Sequence, residues 1–556
     1  MKHKFLNKIS CLLFAFFVIN TIPAHSCTNI LISKGASADG SAMISYVADS
    51  HTLYGELYYR PEKDYPVGSL LDIYEWDTGK YLGKIYQARH TYRVVGNINE
   101  HQLAIGETTF GGREELMDTT GQLDYGSLIY ITLQRARTAR AAIDTMVSLL
   151  NRYGYHSEGE SFSIADPNEV WIMEVVGKGS PKQIKDKKGR VKTIYNKGIA
   201  WVAMRVPDGY ICAHANQSRI KQFPLNDPQN CKYGKDVISF ARQNGYFKGE
   251  DKDFSFADAF APITFDALRF CESRVYSIFR RAAPSLNLSP DYAKGIKTAT
   301  PYPLFIKPDK KIDIKDMFSL MRDHFEGTEL DMTLDVGAGP FKCPYRWRPM
   351  TWTIDSIDYF HERAISTQQT GFSFIAQMRS WLPDPIGGVI WFGVDDTYST
   401  VYMPFYCKIN RVPNCLAENN GDMFTYSPTS AFWAFNYVSN FAYSRYSDMI
   451  VDIQKVQQGF ENKFTANQSN FEKHILDLYQ SNPDSAISKL TDYSCSNAEN
   501  VTQAWIELGH FLLVKYMDGN VKTEDKQVLH PLYPEKWYRT IIKDTGDKFQ
   551  VKKYYK

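Results

Sequence analysis

Cys27 is the residue on which chemistry can be built in this chain. Ala24-His25-Ser26 precede it, and everything before reads as an export leader. Lys2, Lys4 and Lys8 make a basic start, Ile9 to Ile22 is mostly apolar, and Pro23 breaks that run. Ala24 and Ser26 then supply the small-x-small spacing of a signal-peptidase site. The apolar run falls short of the roughly 20 residues of a comfortable membrane span. Cleavage after Ser26 would leave Cys27 with a thiol and a free α-amine on one residue. A terminal amine titrates near about 8, low enough to act as a base, so nucleophile and base would sit together. The thiolate would attack a carbonyl carbon and the amine would protonate the leaving nitrogen. Two other readings stand beside this one. Cys27 is then either an ordinary first residue of an exported protein or the lipid-alkylated cysteine of a lipoprotein, for which His25 and Ala24 make a poor box.

Several elements must position partners for such a residue. Thr28 to Ser33 and Ala42 to Val47 read as strands turning at Asp39-Gly40-Ser41. Folded as an antiparallel hairpin about Ser37 and Ala38, they bring Asp49 back to Cys27, where a carboxylate can hold or orient the amine. A surface cap is the competing role for Asp49. Val94 to Glu107 reads as a strand pair, followed by the polar, glycine-rich Glu107-Thr108-Thr109-Phe110-Gly111-Gly112-Arg113, either a pocket wall or a turn. The spacing predicts one helix over Ser127 to Tyr153. Phe162 to Glu174 reads as strand, turn, strand, and Lys178 to Lys197 as a hairpin or exposed loop. Trp201 to Val206 and Tyr210 to Ala215 are strands around Pro207-Asp208-Gly209, and the second ends in His214-Ala215-Asn216-Gln217. Asn216 can there be an oxyanion donor or simply a turn residue. Phe265 to Ala283 is helical, with Arg274 as the arginine able to point inward. Strands follow over Ile375 to Trp381, Gly387 to Phe392 and Thr400 to Phe405. Helical spacing returns over Asp448 to Tyr479 and Asn500 to Met517.

The chain has 556 residues, 44% hydrophobic and 14% aromatic, enough for a large core. Its formal charge of +2 becomes −1 once the three leader lysines are removed with no acids, which argues against nucleic acid or anionic membrane as partner. No further long apolar run implies no integral membrane segment after processing. Of nine cysteines, Cys11 leaves with the leader and Cys27 is set aside; the remaining seven cannot all pair within the chain. Cys407 and Cys415 flank a short loop and are candidates for a bridge. There is no CxxC pair, and His361-Glu362-Arg363-Ala364-Ile365 fails as HExxH at its last place, so no metal or other cofactor is expected.

Taken in order, these segments resemble the dipeptidase A group of cysteine dipeptidases, in the N-terminal-nucleophile hydrolase superfamily. The resemblance runs from Cys27 to about Tyr406. It is carried by Cys27-Thr28-Asn29-Ile30-Leu31 with Asp39-Gly40-Ser41 and Asp49-Ser50, by Asn99-Glu100 through Gly106-Glu107-Thr108-Thr109, and by Ile164-Ala165-Asp166-Pro167 with Glu169, Trp171 and Glu174. Ala215-Asn216-Gln217-Ser218-Arg219-Ile220, Arg322-Asp323-His324-Phe325-Glu326-Gly327-Thr328, Ala338-Gly339-Pro340-Phe341 and Trp391-Phe392-Gly393 continue it. The resemblance implies an α+β fold, specifically a four-layer αββα sandwich spanning 27–419, with a helical region over 420–556. It implies metal-free hydrolysis of dipeptides by Cys27. By analogy with related penicillin V and bile-salt amidases, Asp49 sits beside the nucleophile, Asn216 helps form the oxyanion hole, and Arg274 matches their arginine near the nucleophile. Those relatives have an arginine three residues before the aspartate; this chain has Tyr46. Thr108 is the candidate second oxyanion donor. Glu107 or Glu174 is assigned the substrate ammonium and Arg274 its carboxylate, on charge. An amidase of the same fold acting on acyl-amino acids is the nearer rival, and an exported lipoprotein or binding module the other. The helical tail is open to two roles, assembly with a second copy or cover for the pocket.

Overall fold

The computed structural model describes residues 27–555 apart from 186–189, 195–196 and 348–349. The expected leader Met1–Ser26, with its cleavage point, lies outside the described residues. In chain order, the elements that bear on the site begin with strands β1 (Asn29–Ile32), β2 (Ala42–Asp49) and β3 (Ala104–Phe110) and helices α1 (Tyr125–Leu133) and α2 (Ala139–Tyr153). Strands β4 (Gly159–Ala165), β5 (Val170–Gly177), β6 (Ile199–Arg205) and β7 (Ile211–His214) follow, then helix α3 (Ser273–Ala282). Strands β8 (Thr370–Met378), β9 (Gly388–Val394) and β10 (Met403–Tyr406) precede helices α4 (Ala431–Ala442), α5 (Tyr446–Ser481) and α6 (Pro483–Tyr516). The chain is of the α+β class.

Two antiparallel sheets dominate. The first runs Phe305–Ile306, β7, β1, β2, β8, β9, β10. The second runs Cys231–Tyr233, β6, β5, β4, β3 and then the short pieces Ile98–Asn99, Val94–Val95 and Tyr59–Arg60. β2 lies against β3 and β4, so the sheets meet face to face; α3 packs on β7 and α6 on β10, while α2 packs on β4 and β6. Every residue of β1 and β2 is therefore buried. That is why both strands read as near-continuous apolar runs rather than alternating ones. A second core, with Ile105, Phe162 and Trp171 against Leu128, Ile143 and Met146, fills the space between the second sheet and α1 and α2.

Three sequence expectations are corrected. The single helix over Ser127 to Tyr153 is two helices. Thr138 caps α2 by accepting the Ala141 N–H, and the Asp166 carboxylate accepts the Ala139 N–H at 2.8 Å, so local capping restarts the helix. α6 begins at Pro483, earlier than Asn500, because Asn482 caps it and proline is pre-organised for the first turn. Cys407 and Cys415 are free thiols, as are all the described cysteines; the Cys407 thiol donates to the Asp384 carbonyl at 3.1 Å.

β6 and β7 are consecutive in sequence yet lie in different sheets. The turn between them is tied to the first hairpin by the Asp208 carboxylate, which accepts the Gly35 N–H at 2.6 Å. The long helices α5 and α6 contribute Ile453, Phe464, Trp505 and Leu512 to the same core as the first sheet. Arg379 at the end of β8 donates twice to Glu472 of α5, both at 2.7 Å, and the Tyr406 hydroxyl joins at 2.9 Å. Among the described residues, no helix is long and apolar enough to cross a membrane.

Candidate active site

β1 and β2 pair as Leu31↔Ile44 and Thr28↔Val47, a hairpin centred between Ser37 and Ala38. That register carries Tyr46, Ala48 and Asp49 past Cys27. The Cys27 sulfur lies within hydrogen-bonding distance of Glu107 Oε1, at 3.6 Å, and of Tyr46 Oη, at 3.7 Å. The Asp49 backbone N–H also reaches the sulfur. Tyr46 donates to the same Glu107 oxygen, and its ring is fixed edge-on by Phe372 and Phe374, each with centroids 5.7 Å away. Gly106 makes this approach feasible: a Cβ there would lie 2.9 Å from Asn29 Nδ2 and 3.2 Å from Tyr46 Cβ.

Burial, followed by the carboxylates of Glu107 and Asp49, pushes the Cys27 thiol well up; the Asp49 N–H and the Tyr46 hydroxyl act the other way. Acylated on its nitrogen, as the chain is encoded, Cys27 therefore holds its proton. Converting it to a thiolate requires a positive group or a base close by.

Asp49 is fully buried and turns its side chain towards β8. Its Oδ2 accepts from Arg363 Nη2 at 2.9 Å and its Oδ1 from the Thr370 hydroxyl at 2.6 Å. Arg274, on α3, is wholly buried and commits all five N–H donors. Nη1 serves the Cys27 carbonyl at 2.7 Å and Thr28 Oγ1 at 2.8 Å. Nη2 serves the Ala215 carbonyl at 3.3 Å and Asn216 Oδ1 at 3.0 Å, and Nε the Phe270 carbonyl at 2.6 Å. Arg274 thus fixes the backbone at Cys27. Its donor set is filled by protein, and a substrate carboxylate has no N–H left to take. Asn216 sits in the left-handed region at φ 57°, and its amide Nδ2 donates to the Thr109 carbonyl at 2.6 Å.

Thr108 and Glu174 lie in other networks. The Thr108 hydroxyl and His214 Nδ1 share a hydrogen bond at 2.7 Å, and His214 Nε2 reaches Ser163 Oγ at 2.7 Å. Oriented to satisfy both ends, the Asn29 amide accepts from Ser163 and spans to the Glu107 backbone. These groups form a polar spine between the two sheets. Glu174 accepts from the Ser218 hydroxyl and from the Arg219 N–H at 2.6 Å and Ile220 N–H at 3.2 Å, so it holds the loop after Asn216. The structure gathers Cys27, Asp49, Glu107, Asn216 and Arg274 into one connected group, with Thr108 and Glu174 behind it.

Three partners escape sequence reading. Tyr46 was visible only as a departure from an arginine. Arg363 lies inside a failed metal motif, and Glu160 is an acid within a strand; an ionisable residue in a buried segment is the signal both carry. Glu160 accepts from Thr109 Oγ1 at 3.1 Å and Tyr155 Oη at 3.4 Å. Burial and the facing Glu107 push its carboxyl well up.

His214 gives a pH prediction. Burial, with a smaller push from Arg219, takes its imidazole down to about 3 from the usual 6.5. The unfolded chain then binds the proton that the folded chain refuses, so stability falls as pH drops from 6.5 towards 3. The full loss is on the order of 5 kcal/mol. Urea unfolding between pH 7 and 4.5 is expected to show this slope, and His214→Gln to flatten it; parallel slopes would clear His214.

The family model for peptidase family C69 matches residues 54–459. The match begins after Cys27 and Asp49. A "Probable dipeptidase" from Latilactobacillus sakei is 23% identical over 457 residues, covering 78% of this chain and 85% of its own. A "Probable dipeptidase B" from Streptococcus pyogenes serotype M1 is 22% identical over 496 residues, covering 86% and 90%. A "Probable dipeptidase" from Salmonella dublin is 23% identical over 416 residues, covering 71% and 84%. With most of its length matched by that family model, this chain belongs to peptidase family C69 and is a peptidase.

Proposed function

We propose that this peptidase is an exported cysteine dipeptidase whose nucleophile is Cys27 once Met1–Ser26 are removed. The names of the relatives support the substrate class, and one observation carries the mechanism. Acidic, hydroxyl and amide groups surround a thiol at the chain position where maturation would create an amine: Glu107, Tyr46 and the Asp49 N–H all meet Cys27 Sγ. In this reading the fold is a four-layer αββα N-terminal-nucleophile hydrolase over 27–419, with 420–556 a helical region packed on it.

Cleavage adds a basic nitrogen beside a thiol whose proton is held by neighbouring carboxylates. The amine accepts that proton, and the resulting ammonium stabilises the thiolate. Sulfur attacks the scissile carbonyl carbon, and a tetrahedral oxyanion forms. Asn216, poised by Arg274, with a backbone N–H, is the oxyanion donor; each such donor is worth about 3 kcal/mol of barrier. The C–N bond breaks as the ammonium gives its proton to the leaving amine, leaving a thioester. Water then attacks the thioester, its proton passing to the same amine, and the second amino acid departs with the thiol restored. Asp49, anchored by Arg363 and Thr370, keeps its N–H on the sulfur.

Intact mass and N-terminal sequencing of the exported protein, with hydrolysis of Ala-Leu and Leu-Ala dipeptides, test this. A mature chain starting at Cys27 with one titratable thiol there and turnover of the dipeptides is the expected result. A lipid-modified Cys27, or a different start with full activity, would overturn it.

A further inference from the structure

The thiol-side oxygen of Glu107 is bonded by two uncharged groups, the Tyr46 hydroxyl and the Cys27 thiol. Behind it stands Glu160, held by Thr109 and Tyr155. Beyond Glu107 lies Tyr125 of α1, whose hydroxyl donates to Asp77 at 2.9 Å. The guanidinium groups close to the site are placed elsewhere: Arg274 on backbone carbonyls and Arg363 on Asp49. The site therefore has an acidic end at Glu107 and a basic side at Arg274 and Arg363.

Resting on the reading above, we propose that Glu107, with Tyr46, binds the free α-ammonium of the residue that supplies the scissile carbonyl. The enzyme then accepts substrates with an unmodified N-terminus at that residue and rejects N-acylated ones. Geometry supports the placement. A carbonyl carbon ready for attack lies about 3–3.5 Å from sulfur. The nitrogen on the same residue is about 2.5 Å from that carbon, from standard bond lengths. A carboxylate–ammonium hydrogen bond adds about 2.8 Å. A path of these three lengths can bend to span the 3.6 Å between Cys27 Sγ and Glu107 Oε1. Tyr46 fixes the carboxylate so that this oxygen faces the sulfur. An acyl group such as that of a bile salt or penicillin has no cation at this place and would leave Glu107 buried against carbon, which is costly.

Glu107→Gln keeps the shape and removes the charge. The expected result is KM for Ala-Leu raised about 10- to 100-fold, the worth of one charge-assisted hydrogen bond, with kcat changed far less. Discrimination between Ala-Leu and N-acetyl-Ala-Leu, measured as the ratio of kcat/KM, should fall by a similar factor. Glu107→Asp, which restores the charge, should recover part of both and guards against a misfolded glutamine variant. A fall in kcat at unchanged KM, with a shifted pH profile for alkylation of Cys27 by iodoacetamide, would assign Glu107 to the enzyme's own amine and overturn the proposal. Equal turnover of acetylated and free dipeptides by the wild type would overturn it as well. Failure of the wild type to cleave any dipeptide would instead sink the underlying reading, and this proposal with it.

Discussion

Cys27→Ala is expected to lower kcat/KM on dipeptides by roughly 10⁴-fold or more, the scale seen when a covalent nucleophile is deleted. The side chain is small and its loss leaves only a sulfur-sized gap, so the urea midpoint should barely move. Cys27→Ser is the sharper comparison. A hydroxyl fits the same contacts with Tyr46 and Glu107 but is a far poorer nucleophile at neutral pH, so it should also fall steeply while binding substrate as well as wild type. Cys343→Ala, at the most accessible of the other thiols, serves as the control and should retain activity. Substantial turnover by Cys27→Ala would end the thioester mechanism whatever the substrate proves to be.

Arg274→Lys should have the second largest effect, on activity and stability together. Lysine keeps the charge but brings three donors on a point-like group, where arginine brings five in a fixed fork. The Cys27, Ala215 and Phe270 carbonyls, Thr28 and Asn216 cannot all be served. Leaving buried acceptors unmet costs about 1–3 kcal/mol each before relaxation, so a net loss of about 3 kcal/mol is expected in urea unfolding. Because Arg274 orients both the backbone at Cys27, the proposed nucleophile, and the Asn216 amide, kcat should drop about 10²- to 10³-fold, as misplacement of reacting groups by an ångström does. KM should change little, since the arginine's donors are spent on protein. A rise in KM with kcat preserved would instead make Arg274 a substrate-carboxylate ligand.

Much of the architecture could be read from the chain, and the reason is local. The first hairpin is legible because apolar strands flank Asp39-Gly40, and its pairing follows from the turn. Arg274 stands out in the sequence as an arginine on a helix with an apolar face. Its task does not, because the carbonyls it binds come from Cys27 and Ala215, remote in sequence. Glu174 shows the same limit: charge suggested a ligand for ammonium, whereas its carboxylate is consumed by the N–H groups of Arg219 and Ile220. Arg363 was beyond reach because its partner Asp49 is brought to it only by β2 pairing with β8. Helix breaks failed for a different cause, since Thr138 and Asp166 cap α2 through side-chain bonds that periodicity does not register.

The seating of the first hairpin sets an order of events in folding. Its turn end meets the segment before β7 across a gap of 177 residues, at Ser33 and Tyr210, and Asp49 meets Thr370 across 321. A chain emerging amino end first therefore carries β1 and β2 with neither outer neighbour until far more of it has been made. Contacts so distant in sequence close slowly, so the native arrangement is reached late. The strand that follows Cys27 stays unfinished, and the thiol unsupported, until synthesis has run past β8.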